Sequence, residues 1–311
     1  MLRGVEQRMR LSISGWACGW LMALCLGACG KDGAPQARRM IHTQQGPRVQ
    51  AVALDILARH NAGLRQAADR IAAGFVRVSG SQQETDMRKV LKLIRNPKRG
   101  VPELVISPMS FIAVVGKDGL CIARDLEPDQ MHGMDLAKQF PVVAQALQGK
   151  QGLDIGEFAS TEPGGKPSVT ILMAAPAHYQ GEVVGALVLG IPLWRLQQVL
   201  TKQLQMELAG KAPVVVWVYV YKGSEVYKHG TPPDLDKLVP DAAARSGGLA
   251  KSPNGFTGEV AQYSYWYGYG VRPLRVFGPD FGVVIFRMEA PTGKSAADSV
   301  EAGKRSDGVK L

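Results

Sequence analysis

Residues 111–125 read FIAVVGKDGLCIARD. Two apolar runs rich in β-branched residues flank a Gly-Lys-Asp-Gly turn, the composition of a buried β-hairpin. A second hairpin lies downstream at 168–193, SVTILMAAPAHYQGEVVGALVLGIPL, turning at Gln180-Gly181. Its strands are nearly all apolar, so both of their faces must be covered. Between the hairpins, DLAKQFPVVAQAL at 135–147 has helical spacing, interrupted at Pro141 and ended by Gly149. Upstream, Val49, Val52, Ala53, Ile56, Leu57, Leu64, Ala67, Ala68, Ile71, Phe75 and Val78 recur every three or four residues. This predicts a long amphipathic helix over 47–78, weakest at Gly63 and Gly74. Ser79-Gly80-Ser81 ends it, and 82–95 forms a shorter helix.

The order then repeats. A helix over 194–208 carries an apolar stripe at Leu196, Val199, Leu200, Leu204 and Leu208 that needs a partner. PVVVWVYVY (213–221), a Lys-Gly-Ser turn and EVYKHG (225–230) form another hairpin. A short helix over 235–244 is broken at Pro240. Strand material follows at 255–278, a Pro-Asp turn at 279–280 and a last strand, FGVVIFRME, at 281–289. The self-similarity predicts an α+β chain of two like units with antiparallel sheets. The charged tail, 291–311, has the composition of disorder.

The N-terminus adds a compartment. Arg3, Arg8 and Arg10 precede an apolar stretch from Leu11 to Leu26 that is short for a membrane span. Leu26-Gly27-Ala28-Cys29 resembles the lipobox of bacterial lipoproteins. That resemblance implies a signal peptide over 1–28, lipidation of Cys29 and attachment to a membrane through acyl chains. Gly30 stands where inner-membrane lipoproteins often carry Asp, which favours an outer-membrane lipoprotein facing the periplasm. Of the four cysteines, Cys18 and Cys25 would leave with the signal, and Cys121 would stay as a lone buried thiol. Residues 29–46, polar with Gly and Pro, are expected to be a flexible tether.

The same order of elements resembles the Cache family of extracytoplasmic sensor domains, relatives of the PAS fold. The resemblance rests on FIAVVGKDGLCIARD, on GMDLAKQFPVVAQALQGK (133–150) with its Gly-x-Asp-Leu start, on AAPAHYQGEVVGALVLGIPL (174–193) and on the opening helix. It implies tandem PAS-like (double Cache) units: a first domain with the long helix over 47–209, and a second, degenerate unit over 210–290. It also implies a small-molecule ligand held between a sheet and its covering loop-helix segment. Cache domains usually sit between membrane helices and drive an output domain. None is expected here, and a lipid anchor would replace the helices.

Candidate ligand-binding residues follow from that geometry. Arg124 and Asp125 close the second strand where the covering segment begins. Arg124 is either a clamp for a small carboxylate or half of a structural pair with Asp125 or Asp129. His178 and Tyr179 stand at the end of a strand beside the Gln-Gly turn, as a pocket rim or an exposed turn. Met173 belongs to an apolar strand and is a ligand contact or plain core. The covering segment has Lys138-Gln139-Phe140-Pro141 where amino-acid-sensing Cache domains carry Arg and Trp-Tyr, so an amino-acid clamp is not reproduced. Tyr263, Tyr265, Tyr267 and Tyr269 alternate on one strand face, which is either a candidate interaction surface or a sheet face packed under a helix with its hydroxyls reaching water.

Other classes find no support. No Gly-x-Ser-x-Gly, His-Glu-x-x-His or phosphate-loop pattern is present, so an enzyme is not expected. Met131-His132-Gly133-Met134 offers thioether and imidazole ligands that suit copper or haem iron, but no Cys-x-x-Cys-His and no second His at ligand spacing accompany it, so it reads as a surface loop and neither metal nor cofactor is expected. The net charge is +10, but the basic residues are scattered apart from 95–99, and nucleic acid is not an expected partner. The leading expectation is a ligand-binding module that presents itself to a membrane-bound signalling or envelope protein. The alternative is an envelope scaffold with filled PAS-like cores.

Overall fold

A computed structural model describes residues 33–77, 82–105, 110–159, 165–210, 214–262 and 265–289. The signal peptide, Cys29, the helix stop at 79–81, Tyr263 and the tail 291–311 lie outside the described residues.

The chain opens with helix α1 (Gly33–Met40), passes through a π-helical turn (Ile41–Gln45) and continues as α2 (Gly46–Arg77). Helix α3 (Gln83–Ile94) and the short α4 (Pro102–Val105) follow. The first sheet is built from β1 (Phe111–Gly116), β2 (Cys121–Arg124), β3 (Gly152–Phe158), β4 (Ser168–Tyr179) and β5 (Glu182–Pro192). Helices α5 (Leu136–Gln139) and α6 (Pro141–Leu147) lie between β2 and β3. Asp135 caps α5 by accepting from the Lys138 N–H at 2.8 Å, and Pro141 starts α6 where its missing N–H costs nothing.

Helix α7 (Leu193–Leu208) leads to the second sheet: β6 (Val214–Lys222), β7 (Glu225–Tyr227), β8 (Phe256–Gln262), β9 (Tyr265–Pro273) and β10 (Phe281–Glu289), with α8 (Pro233–Asp236) and α9 (Ala242–Lys251) between β7 and β8. The strand orders are β2-β1-β5-β4-β3 and β7-β6-β10-β9-β8, all pairs antiparallel, so the two units share one topology. The fold is α+β with tandem PAS-like units.

Each sheet has a face toward its own inserted helices and a face toward the rest of the molecule. On the latter face, α2 packs on β4 and β5 through Ile56, Leu64, Ala67, Ala68 and Ile71. The same core continues through Leu196, Leu200 and Leu204 of α7 to Val216, Val218, Val283 and Ile285 of the second sheet. The stripe on α7 therefore finds its partner. The helix also presents Gln197, Thr201 and Gln205, one turn apart, to β6. The Val218 N–H and the Val216 and Val218 carbonyls find those side chains at 2.8 to 3.1 Å. An edge of β6 is thus closed by polar side chains rather than by a strand.

Residues 33–46 correct the expected tether. Ala34, Ala37 and Ile41 are fully buried, and α1 lies across β8, β9 and β10. Two glycines of β9 make room for it. A Cβ on Gly268 would stand 2.5 Å from the Arg38 amide nitrogen, and one on Gly270 would stand 2.4 Å from the Ile41 side chain. Beneath α1, Arg287 is buried and pairs with Glu289 at 2.6 Å. The helix over 235–244 is also redrawn. Asp241, just past Pro240, accepts from the Ala244 N–H at 2.7 Å and starts α9 afresh.

Candidate functional site

The segment from Asp125 to Gly149 covers the inner face of the first sheet, and its beginning is pinned by two buried carboxylates. Asp125 accepts from the Ile112 N–H at 2.8 Å and from Arg95 at 2.5 Å. Asp129 accepts from the backbone N–H groups of Arg124, Met131 and His132 at 2.8 to 3.1 Å. It also meets Arg88 of α3 at 3.3 Å and the Arg124 guanidinium at 3.5 Å. Arg124 donates besides to the Pro128 carbonyl. Arg124 and Asp125 are thus engaged in anchoring the cover, and the pair at Arg124 is with Asp129.

Under the cover the face is apolar and filled. Met131, Leu136, Val142, Val143 and Ala146 meet Ala113, Val115, Cys121, Ala174, Ala186 and Val188. Phe111 meets Phe158 edge-on at 5.5 Å, and Phe140 meets Phe158 at 4.8 Å. Glycines admit these rings: a Cβ on Gly190 would stand 2.2 Å from Phe111, and one on Gly156 2.6 Å from Phe140. Burial lifts the Cys121 thiol to about 12, so it is an inert part of this core.

A half-open cleft of about 300 Å³ lies between the cover and the edge strand β3. Gln139, Phe140 and Pro141 form one wall, residues Asp154 to Glu157 the other, and Leu172 the floor. The apolar surfaces can receive a small carbon skeleton. Asp154 offers carboxylate oxygens and Gln139 an amide that both accepts and donates, while Glu157, opposite Val169 across the strand pair, has its side chain on the other face of the sheet; no Arg or Lys lines the cleft. The Asp154 carboxylate suits a ligand with hydrogen-bond donors or positive charge.

None of the five expected contact residues lines this cleft. Met173 faces α2 in the shared core. His178 is exposed at the hairpin end, and Tyr179 packs half-buried against the α2 side. Sequence reasoning missed Asp154 and Gln139 as site residues. The only available signal was the alternation in GLDIGEF, a segment weakened as a strand by two glycines.

The tyrosines of β9 are also inward. Tyr267 and Tyr269 pack on the inner core of the second unit, where Tyr269 lies 6.4 Å from Phe256 and 6.0 Å from Phe286. Tyr265 is half-buried on the same strand face. They cannot serve as an exposed interaction surface, because α8 and α9 cover that face. On that face the Tyr219 hydroxyl donates to Asp236 at 3.0 Å, and Arg245 stacks 4.5 Å over Tyr221 while donating to the Gly223 carbonyl.

Two sheets of identical order, each covered on one face by its own inserted helices, with one long opening helix, define the double-Cache fold of extracytoplasmic sensor domains. Among solved structures, the chain is similar to the ligand-binding domain of a Campylobacter jejuni chemoreceptor in complex with L-valine, at 10% identity and a TM-score of 0.50 over 90% of this chain and 98% of that one. The same domain with 4-methylisoleucine gives 10% identity and a TM-score of 0.51 over 83% and 95%. The extracellular domain of a proposed histidine kinase gives 10% identity and 0.50 over 89% and 95%. No family model and no curated protein matches the chain. At this identity the likeness establishes the fold alone. Among the described residues no helix is long and apolar enough to cross a membrane.

Proposed function

We propose that this chain is a small-ligand-binding module of sensor type, without enzymatic activity, that takes its ligand in the cleft between the α5–α6 junction and β3. The observation that carries the reading is the cleft itself, with apolar walls and the Asp154 carboxylate and Gln139 amide at its rim. The single carboxylate and the absence of Arg and Lys from the lining favour a small amine. The module is held at the outer membrane, facing the periplasm, by acyl chains on Cys29, and acts on a membrane-bound signalling or envelope protein.

The test is a thermal-shift screen of the full chain against matched amines and carboxylates, with the Cys29→Ser form as the soluble preparation. An amine that binds the folded state raises the melting temperature, by about 2.7 kcal/mol of stabilisation at a hundred times its Kd. Asp154→Asn should remove the shift and leave the free protein's melting temperature unchanged. Shifts by carboxylates alone would overturn the ligand class. Cys29→Ser that stays in the membrane fraction would overturn the anchor.

A second reading, an envelope scaffold, is favoured by the phenylalanine-filled interior beneath the cover. It predicts no shift with any small molecule in the screen.

A further inference from the structure

Between α1 and α2 the helix changes hydrogen-bonding pattern, and the cause is in the sequence. Pro47 has no N–H, so the Thr43 carbonyl loses its α-helical partner. The Gly46 N–H then bonds to the Ile41 carbonyl, five residues back, and the turn over Ile41–Gln45 is π-helical. One extra residue turns everything upstream by roughly 100° about the axis. That turn aims Ala34, Ala37 and Ile41 at the notch of Gly268 and Gly270, while α2 keeps its own stripe on the first sheet.

The joint is held from the side by one residue of the second sheet. Arg272 is 6% exposed and donates to the His42 carbonyl at 2.8 Å and to the Asn254 carbonyl at 2.7 Å. It reaches the π-turn because residue 46 has no side chain; a Cβ there would stand 2.5 Å from Arg272 Nε. The joint also keeps polar atoms without partners. Gln45 is 3% exposed, and neither its side-chain oxygen nor its nitrogen is hydrogen-bonded, nor is Arg272 Nε. Water would satisfy all three on opening, which lowers the cost of opening at this point. The contact of α1 rests on Ala34, Ala37 and Ile41 and on an ion pair of Arg38 with Glu259 of β8 at 3.2 Å, the pair being half-exposed and weak, and eight residues are too few for a helix to persist in water alone.

We propose that residues 33–45 form a strap that leaves the second sheet as one unit, hinged at the π-turn and caught by Arg272. The strap is the segment through which anything holding the N-terminal side of the chain meets the second unit. This inference stands apart from the ligand reading.

Hydrogen exchange on the full chain, resolved by peptide, tests it. In the unaltered protein, amides of 33–45 exchange together, at least tenfold faster than those of α2 and β10. Arg272→Met accelerates the 33–45 block by a further tenfold or more and leaves β6 and β10 unchanged. Gln45→Met, which removes the unpaired amide from the joint, slows the same block severalfold. Exchange of 33–45 only at the global rate overturns the strap, as does equal acceleration of the whole chain by Arg272→Met. Should Arg272→Met not fold, the Gln45→Met comparison decides alone, and an unchanged 33–45 block overturns the proposal.

Discussion

His60, on the inner face of α2, is 4% exposed, and neither ring nitrogen has a hydrogen-bond partner of ordinary geometry. Burial pushes its pKa down to about 4, against a weaker upward pull from the Ile56 carbonyl one turn back. Between pH 4 and 6.5 the unfolded chain therefore binds a proton that the folded one refuses. Stability from this residue is complete above about pH 6.5 and falls as pH drops toward 4, by up to roughly 3 kcal/mol. His60→Leu should flatten that part of the profile, read as urea midpoints at pH 7.5 and 4.5. An unchanged slope would mean that other groups set it. Spacing alone could name such a position on the buried stripe but not its lack of partners. Arg124 shows the same limit. Asp125 and Asp129 both lie within five residues, and only the path of the covering loop selects Asp129.

At the scale of elements, the hairpins and long helices were legible because their signals are local. Gln180 and Gly181 adopt positive φ of 52° and 87°, as a tight turn between twisted strands requires, and that dipeptide was visible as a turn. The alternation in β9 likewise separated a tyrosine face from a glycine face. It could not say that both faces are covered, because the cover on the glycine face comes from more than two hundred residues upstream. For the same reason α1 read as a tether: alone it is too polar and short to fold, and Gly268 and Gly270 complete its surface. Gly268→Ala is the direct check. Its added carbon meets backbone, which no rotamer change relieves, so a cost of about 1–3 kcal/mol is expected. Trypsin should then cut at Arg38 and Arg39 severalfold faster. Cleavage at the parent rate would mean that the sheet yields instead.

At the scale of the molecule, the repeat was legible as an order of elements, and the candidate site was not. The cleft forms where α5 and α6 pass over β3, a juxtaposition across residues 139–157 that no short motif announces. The division into units was legible only in part, because the second sheet draws its cover from both sides of the first unit: α7 from one end and residues 33–46 from the other. A fragment of 194–289 should therefore stay partly unfolded by circular dichroism, and supplying residues 33–46 ahead of it through a short linker should restore a cooperative melt. A cooperative melt of 194–289 alone would show that α7 is cover enough.

Gly33 lies against Glu289, its added Cβ falling 3.3 Å from the glutamate's own. The described chain therefore leaves the second sheet, runs out through α2, builds the whole first unit and returns to where it began. Such a path closes on itself like a purse whose drawstrings meet at one pole. Tension applied between the two strings would load the contact of α1 with β10 first. Until that contact yields, the first unit lies off the line of pull.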